Sequence, residues 1–164
     1  MIQAIATTPL TTYLQTEDNR INESVPVAQI RHLLKFTNDM DKSVDYAYGT
    51  TETIYNRYTK FTFTWNTSDP FVPNIYTGLI KFLPAGYWKY EVYEVSWNGS
   101  VVVVGSGTAP ATETDVLPRE DTNGVVQGLV TKGKMYVAER PSTAQVQYVQ
   151  REAPESTNTI YYGQ

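Results

Sequence analysis

Nucleophilic, acid–base and metal chemistry each need particular side chains at particular spacings, and a few positions in this 164-residue chain approach them. His32 is the only histidine, and the chain has no cysteine. A lone imidazole makes no catalytic triad. Inside the apolar run 30–36, His32 reads as a solvent-facing or otherwise satisfied strand residue. Asp39, Asp41, Ser43 and Asp45 space their oxygens as a calcium loop does. Val44, however, stands where such a loop needs its turn glycine, and Thr50 where it needs a bidentate glutamate. Glu91 and Glu94 come nearest to a pair of catalytic carboxylates. Residues three apart in a strand face opposite ways, and a solvated sheet edge accounts for both. Gly105-Ser106-Gly107 lacks the rest of a phosphate-binding fingerprint and any helix to follow it. Asn22-Glu23-Ser24, Asn66-Thr67-Ser68 and Asn98-Gly99-Ser100 fit the glycosylation pattern, which carries meaning only in a secreted protein. No catalytic residue, cofactor site or metal ligand is assigned, so a non-enzymatic protein is expected.

The elements that position these residues are bounded by composition. With 41% hydrophobic and 13% aromatic residues, the chain suffices for one domain with a substantial core, and two large domains do not fit. A net charge of −4 with scattered Lys and Arg excludes the clustered basic surface that nucleic-acid binding needs. The absence of cysteine rules out disulfides and thiolate-ligated zinc, and it suits folding in a reducing cytoplasm. Residues 1–10 lack the basic-then-apolar order of a signal peptide. No apolar run approaches membrane-spanning length, so no membrane partner is expected.

Residues 81–104, KFLPAGYWKYEVYEVSWNGSVVVV, read as the organising stretch. Trp88, Tyr90 and Val92 share one face of an extended strand, with Tyr87, Lys89, Glu91 and Tyr93 on the other. Asn98-Gly99 suits a two-residue type I′ turn, so a hairpin pairing 86–95 with 101–104 is expected. Leu83-Pro84-Ala85-Gly86 fits a chain crossing between two sheets, as in immunoglobulin-like sandwiches. Upstream, Ile30, Leu33, Leu34 and Phe36 predict a buried strand ending at the turn 38–41, and residues 43–48 return from it. Phe61, Phe63 and Trp65 alternate with Thr62 and Thr64. Residues 77–82 alternate likewise, and 125–130 with 134–138 form one bulged strand or two. Residues 1–26 are Thr-rich and polar and read as an N-terminal arm of low order in which only 10–14 suits a strand. Residues 105–124 read as a mobile loop, and 141–164 as a C-terminal tail. The fold class is therefore all-β: an Ig-like β-sandwich over 27–140, flanked by arm and tail.

Tyrosine, with 13 copies, supplies contact area at low entropic cost and carries a hydroxyl for a partner. In the tail, Tyr148, Ile160, Tyr161 and Tyr162 are too apolar for a solvated segment, and they are expected to form a partner interface by adding to a neighbour's sheet edge. The series Leu33-Leu34-Lys35-Phe36-Thr37-Asn38-Asp39, Asn56-Arg57-Tyr58 before Phe61-Thr62-Phe63, Gly86-Tyr87-Trp88-Lys89-Tyr90-Glu91-Val92-Tyr93-Glu94, Gly128-Leu129-Val130 and Asn158-Thr159-Ile160-Tyr161-Tyr162 resembles a family of small Ig-like virion structural proteins of tailed bacteriophages. The arm before Val25 and the 105–124 loop are longer than that pattern. The resemblance implies a capsid decoration or auxiliary protein, located in the virion after assembly in the host cytoplasm. Its implied partners are the major capsid protein or other virion proteins, and copies of itself. A neck or tail component is an alternative. A carbohydrate-binding or host-adhesion module, with a glycan as partner, is a second alternative.

Overall fold

The computed structural model describes residues 1–65, 70–118 and 120–140. Eight strands run in chain order: β1 (Ile2–Ile5), β2 (Leu10–Leu14), β3 (Ile30–Asn38), β4 (Val44–Tyr48), β5 (Thr51–Ile54), β6 (Thr59–Phe63), β7 (Gly86–Ser96) and β8 (Val125–Ala138). They form a five-stranded sheet in the order β1-β8-β7-β3-β4 and a three-stranded sheet in the order β2-β6-β5. The run β8-β7-β3-β4 has the G-F-C-C′ order of an immunoglobulin-like sandwich, and β2-β6-β5 has its B-E-D order. β1 pairs parallel with β8, which completes the larger sheet.

Alternation sets which side chains fill the space between the sheets. Leu34 and Phe36 of β3, Trp88 and Val92 of β7, and Met135 and Val137 of β8 face Leu10 and Leu14 of β2 and Phe61 and Phe63 of β6, all buried. Burial of each large side chain contributes about 2 to 3 kcal/mol. The rings meet edge to face, with Phe36 5.7 Å from Phe63 and 5.0 Å from Phe82, and Phe82 5.6 Å from Trp88. The crossing between sheets, expected at residues 83–86, begins at 79, because the alternating stretch 77–82 forms no strand and makes only isolated bridges at Leu79. Leu79 bridges Thr64 beside the small sheet, Ile80 and Phe82 dip into the core, and β7 starts at Gly86. The Leu83–Pro84 peptide is cis. The carbonyl of Pro84 accepts from Trp88 Nε1 at 3.1 Å and from Asn38 Nδ2 at 3.2 Å, fixing the corner to both neighbouring strands.

Three expectations are corrected. The 86–104 hairpin does not form, because β7 already has β3 on one edge along Trp88–Ser96 and β8 on the other along Gly86–Ser96. No edge is left for residues 101–104. Val101 and Val103 instead pack with Leu33, Val95 and Trp97 on the outer face of the large sheet. Residues 1–26 are not an arm of low order, since β1 and β2 belong to the two sheets and Ala4, Ala6, Leu10 and Leu14 lie in the core. Nor does the 105–124 stretch lack anchoring. Ala109 is fully buried, the carbonyl of Thr108 accepts from Trp97 Nε1 at 3.2 Å and from the Gly124 N–H at 2.8 Å, and Tyr48 Oη donates to the carbonyl of Pro110 at 2.8 Å. β5, pairing with β6 as a hairpin, had no forecast.

β8 is a single strand, and its register against β7 slips between Val92 and Tyr93 and again between Glu94 and Val95. The bulged-strand reading thus stands, with the bulges flanking Gly128 rather than at Gly133. Gly128 sits at φ +150°, and a Cβ there would lie 3.1 Å from Ile21 Cδ1.

The integration of the first strands gives a direct test. Deleting residues 1–14 removes β1, β2 and four buried core side chains, so the truncated chain should show no cooperative urea transition. A cooperative transition within about 1 kcal/mol of the full chain would restore the arm reading.

Candidate functional site

The titratable residues singled out by sequence are placed apart, and most hold segments of the chain together. His32 is 1% exposed; its Nδ1 lies 2.7 Å from Glu52 Oε1, and its backbone N–H donates to Glu52 Oε2 at 3.2 Å. Nε2 is buried without a hydrogen-bond partner, and the ring stands edge-on to Phe61 at 5.7 Å. This arrangement locks β3 of one sheet to β5 of the other. Glu94 corrects the solvated-edge reading: it is fully buried, and its carboxylate accepts the backbone N–H groups of Ile21 at 3.0 Å and Asn22 at 3.1 Å. Two amide donors offset the desolvation of one carboxylate and bind the β2–β3 connection across the end of the sandwich. Parity with Trp88 and Val92 already places Glu94 on the inner face. Glu91 projects outward, 3.7 Å from Lys35 Nζ.

On the outer face of the large sheet, Glu113 receives Lys35 Nζ at 2.5 Å and Tyr46 Oη at 2.5 Å. Burial raises the Glu113 carboxyl, but the hydrogen bonds from Lys35 and Tyr46 outweigh it and hold the group below its ordinary value. The bond to Glu113 raises the Lys35 ammonium. Tyr46 is pushed up to about 12 by burial and then by Glu113. Asp115, held low by the Thr112 hydroxyl and the Ala111 amide, caps the turn beside it. Asp41 is likewise lowered by Ser43, whose hydroxyl and N–H both bond to it, while Asp45 is raised by burial and by Asp41. Among the described residues, no three His, Asp or Glu side chains come together to hold a metal ion. A cleft of about 740 Å³ lies between the β2–β3 connection and residues 96–127. Its amides support its own walls: Asn98 bonds Asp121, Asn123 bonds the carbonyl of Pro118, and Gln127 bonds Ser96.

Exposed aromatic and hydroxylic side chains gather on the outer face of the small sheet. On the small sheet, register aligns Thr11, Thr62 and Thr51 in one row and Tyr13, Lys60 and Thr53 in the next, all on the face opposite the core. The β5–β6 turn adds Tyr55 and Tyr58, joined by a backbone hydrogen bond of 2.9 Å. Tyr58 contacts Tyr13 edge to face at 5.6 Å and Tyr55 at 4.8 Å, so the rings form one patch. Tyr13 is 59% exposed, Tyr55 45% and Tyr58 39%. Among the described residues, Lys60 and the exposed Arg57 make no salt bridge. A second exposed pair, Tyr87 and Tyr136, meets at 5.1 Å on the large sheet. The tyrosine count pointed to such surfaces without locating them, because Tyr55 and Tyr58 sit in a turn and Tyr13 in a segment read as an arm. Tyr148, Ile160, Tyr161 and Tyr162, and Asn66, lie outside the described residues.

Glu113 supplies a pH test. Its folded-state value lies below the ordinary 4.5. Its stabilisation is therefore complete above pH 4.5 and is lost as pH falls through the lower folded-state value. Glu113→Gln should cost about 1 to 2 kcal/mol at pH 7 by urea denaturation, with the difference from the unsubstituted chain shrinking in acid. A cost that is the same at pH 7 and pH 3 would refute the charge-assisted tie.

Set beside family models, curated proteins and solved structures, the chain matches none.

Proposed function

We propose that this chain is a non-enzymatic structural protein of a bacteriophage virion, of the capsid decoration or auxiliary type. It binds neighbouring particle components: the major capsid protein, other virion proteins and copies of itself. The observation that carries the reading is how the side chains are deployed. The carboxylates of Glu52, Glu94 and Glu113 are used to tie one part of the chain to another, while Tyr13, Tyr55, Tyr58, Tyr87 and Tyr136 are left exposed as contact area. The resemblance of the strand motifs to small phage virion proteins supplies the particle. The tail 141–164, with Tyr148, Ile160, Tyr161 and Tyr162, provides a second contact through strand addition to a neighbour's edge. Many copies on one particle multiply a weak contact through effective concentration. A neck or tail component uses the same contacts at another location. Host adhesion through a glycan is the reading that the Tyr13–Tyr55–Tyr58 patch favours.

Mass spectrometry of density-purified particles is the test. The chain should appear in fixed ratio to the major capsid protein, and removing residues 151–164 should lower that ratio. Particles that form in infected cells without the polypeptide would rule out the structural role.

A further inference from the structure

The outer face of the small sheet combines features that its fold does not require. Tyr13, Tyr55 and Tyr58 are anchored to each other, yet a large part of each ring faces solvent. Beside them run the hydroxyls of Thr11, Thr62 and Thr51. Lys60, directly across from Tyr13 on the central strand, and Arg57, in the turn between the two ringed positions, have no acidic partner among the described residues. Past Tyr13 along the chain the first acidic residues are Glu17 and Asp18, beyond the end of β2, and Asp18 is engaged by the side-chain amide of Gln15. In a chain of net charge −4, this face is locally cationic.

We propose that this face is a binding site for an acidic saccharide, a chain of uronic-acid sugars. Each ligand group has a counterpart. Tyrosine rings present flat apolar surface to the C–H faces of pyranose rings. Threonine hydroxyls both donate to and accept from sugar hydroxyls. The Arg57 guanidinium and the Lys60 ammonium meet the carboxylates, the first as a fork that pairs with both oxygens. A neutral glycan leaves the cations unmatched, and an acidic peptide leaves the ring platform without sugar faces. The site goes beyond the virion reading and holds wherever on a particle the chain is placed. It uses β2 and the β5–β6 hairpin alone, so the tail remains available for protein contacts.

The test uses the full-length chain with polygalacturonate, dextran and poly-glutamate, in affinity electrophoresis and calorimetric titration. Saturable binding to polygalacturonate is expected, with dextran and poly-glutamate at least about tenfold weaker. Tyr58→Ala and Tyr13→Ala should each reduce polygalacturonate affinity by about tenfold or more, Lys60→Gln similarly, and Tyr87→Ala on the other sheet not at all. Thermal unfolding of each variant confirms that it is folded. Tyr13→Phe, which keeps the ring, should bind within about threefold of the unsubstituted chain and serves if an alanine variant fails to fold. Equal binding to poly-glutamate would reduce the effect to charge, and equal binding to dextran would remove the role of the cations. The proposal is also overturned by no binding to any polymer, or by self-association that buries the patch.

Discussion

The structure depends on the occupation of both edges of β7. It pairs with β3 along one edge and β8 along the other, its inner face carries Trp88 and Val92 into the inter-sheet core, and its outer face carries Val95 beneath a covering loop. A strand with both edges satisfied takes no further partner, so Asn98-Gly99 turns the chain onto the outer face rather than back alongside β7. The run of valines after it therefore serves as a cover. Its side chains pack with Trp97, Leu33 and Ala109 in a second, smaller core. The large sheet thus carries an apolar cluster on its outer face around Leu33 and Val95 as well as on its inner face, beside the charged group of Lys35, Glu91 and Glu113.

Electrostatics holds what the sheets do not. Glu94, Glu52 and Glu113 each bridge segments far apart in sequence, to residues 21–22, to His32, and to Lys35 with Tyr46. Each joins a turn, connection or edge strand to the sandwich by charge-assisted bonds rather than by apolar area. Such ties suit connections with few large hydrophobic residues, and they explain how the polar stretches 15–29 and 105–118 take a defined course.

The sequence was legible where information is local or periodic. β3, β4, β6 and the inner face of β7 follow from alternation, and the corner at Pro84 from its turn residues. What was missed needed distant partners. Ile2-Gln3-Ala4-Ile5 becomes a strand only because β8, from the far end of the sandwich, offers a parallel edge. The expected hairpin failed because Asn-Gly is a local signal, while the occupancy of β7's edges is a global fact. The loop's anchors are mainly carbonyls, at Thr108 and Pro110, which composition does not display. Glu94 was within reach, since its parity with Val92 puts it inside. The tyrosine patch was not, because it joins residues from β2 and the β5–β6 turn that register alone brings together.

The central claim is that segments outside the strands are held as firmly as the strands by buried polar ties. Residue-resolved amide hydrogen exchange at neutral pH tests it most directly, because it reads the opening of each N–H separately. The account predicts that the Ile21 and Asn22 amides, which face Glu94, and the Gly124 amide, which faces Thr108, exchange at rates within about tenfold of the β3 and β7 amides. Exchange of those three near the rate of an unstructured chain, with the strands still protected, would contradict it.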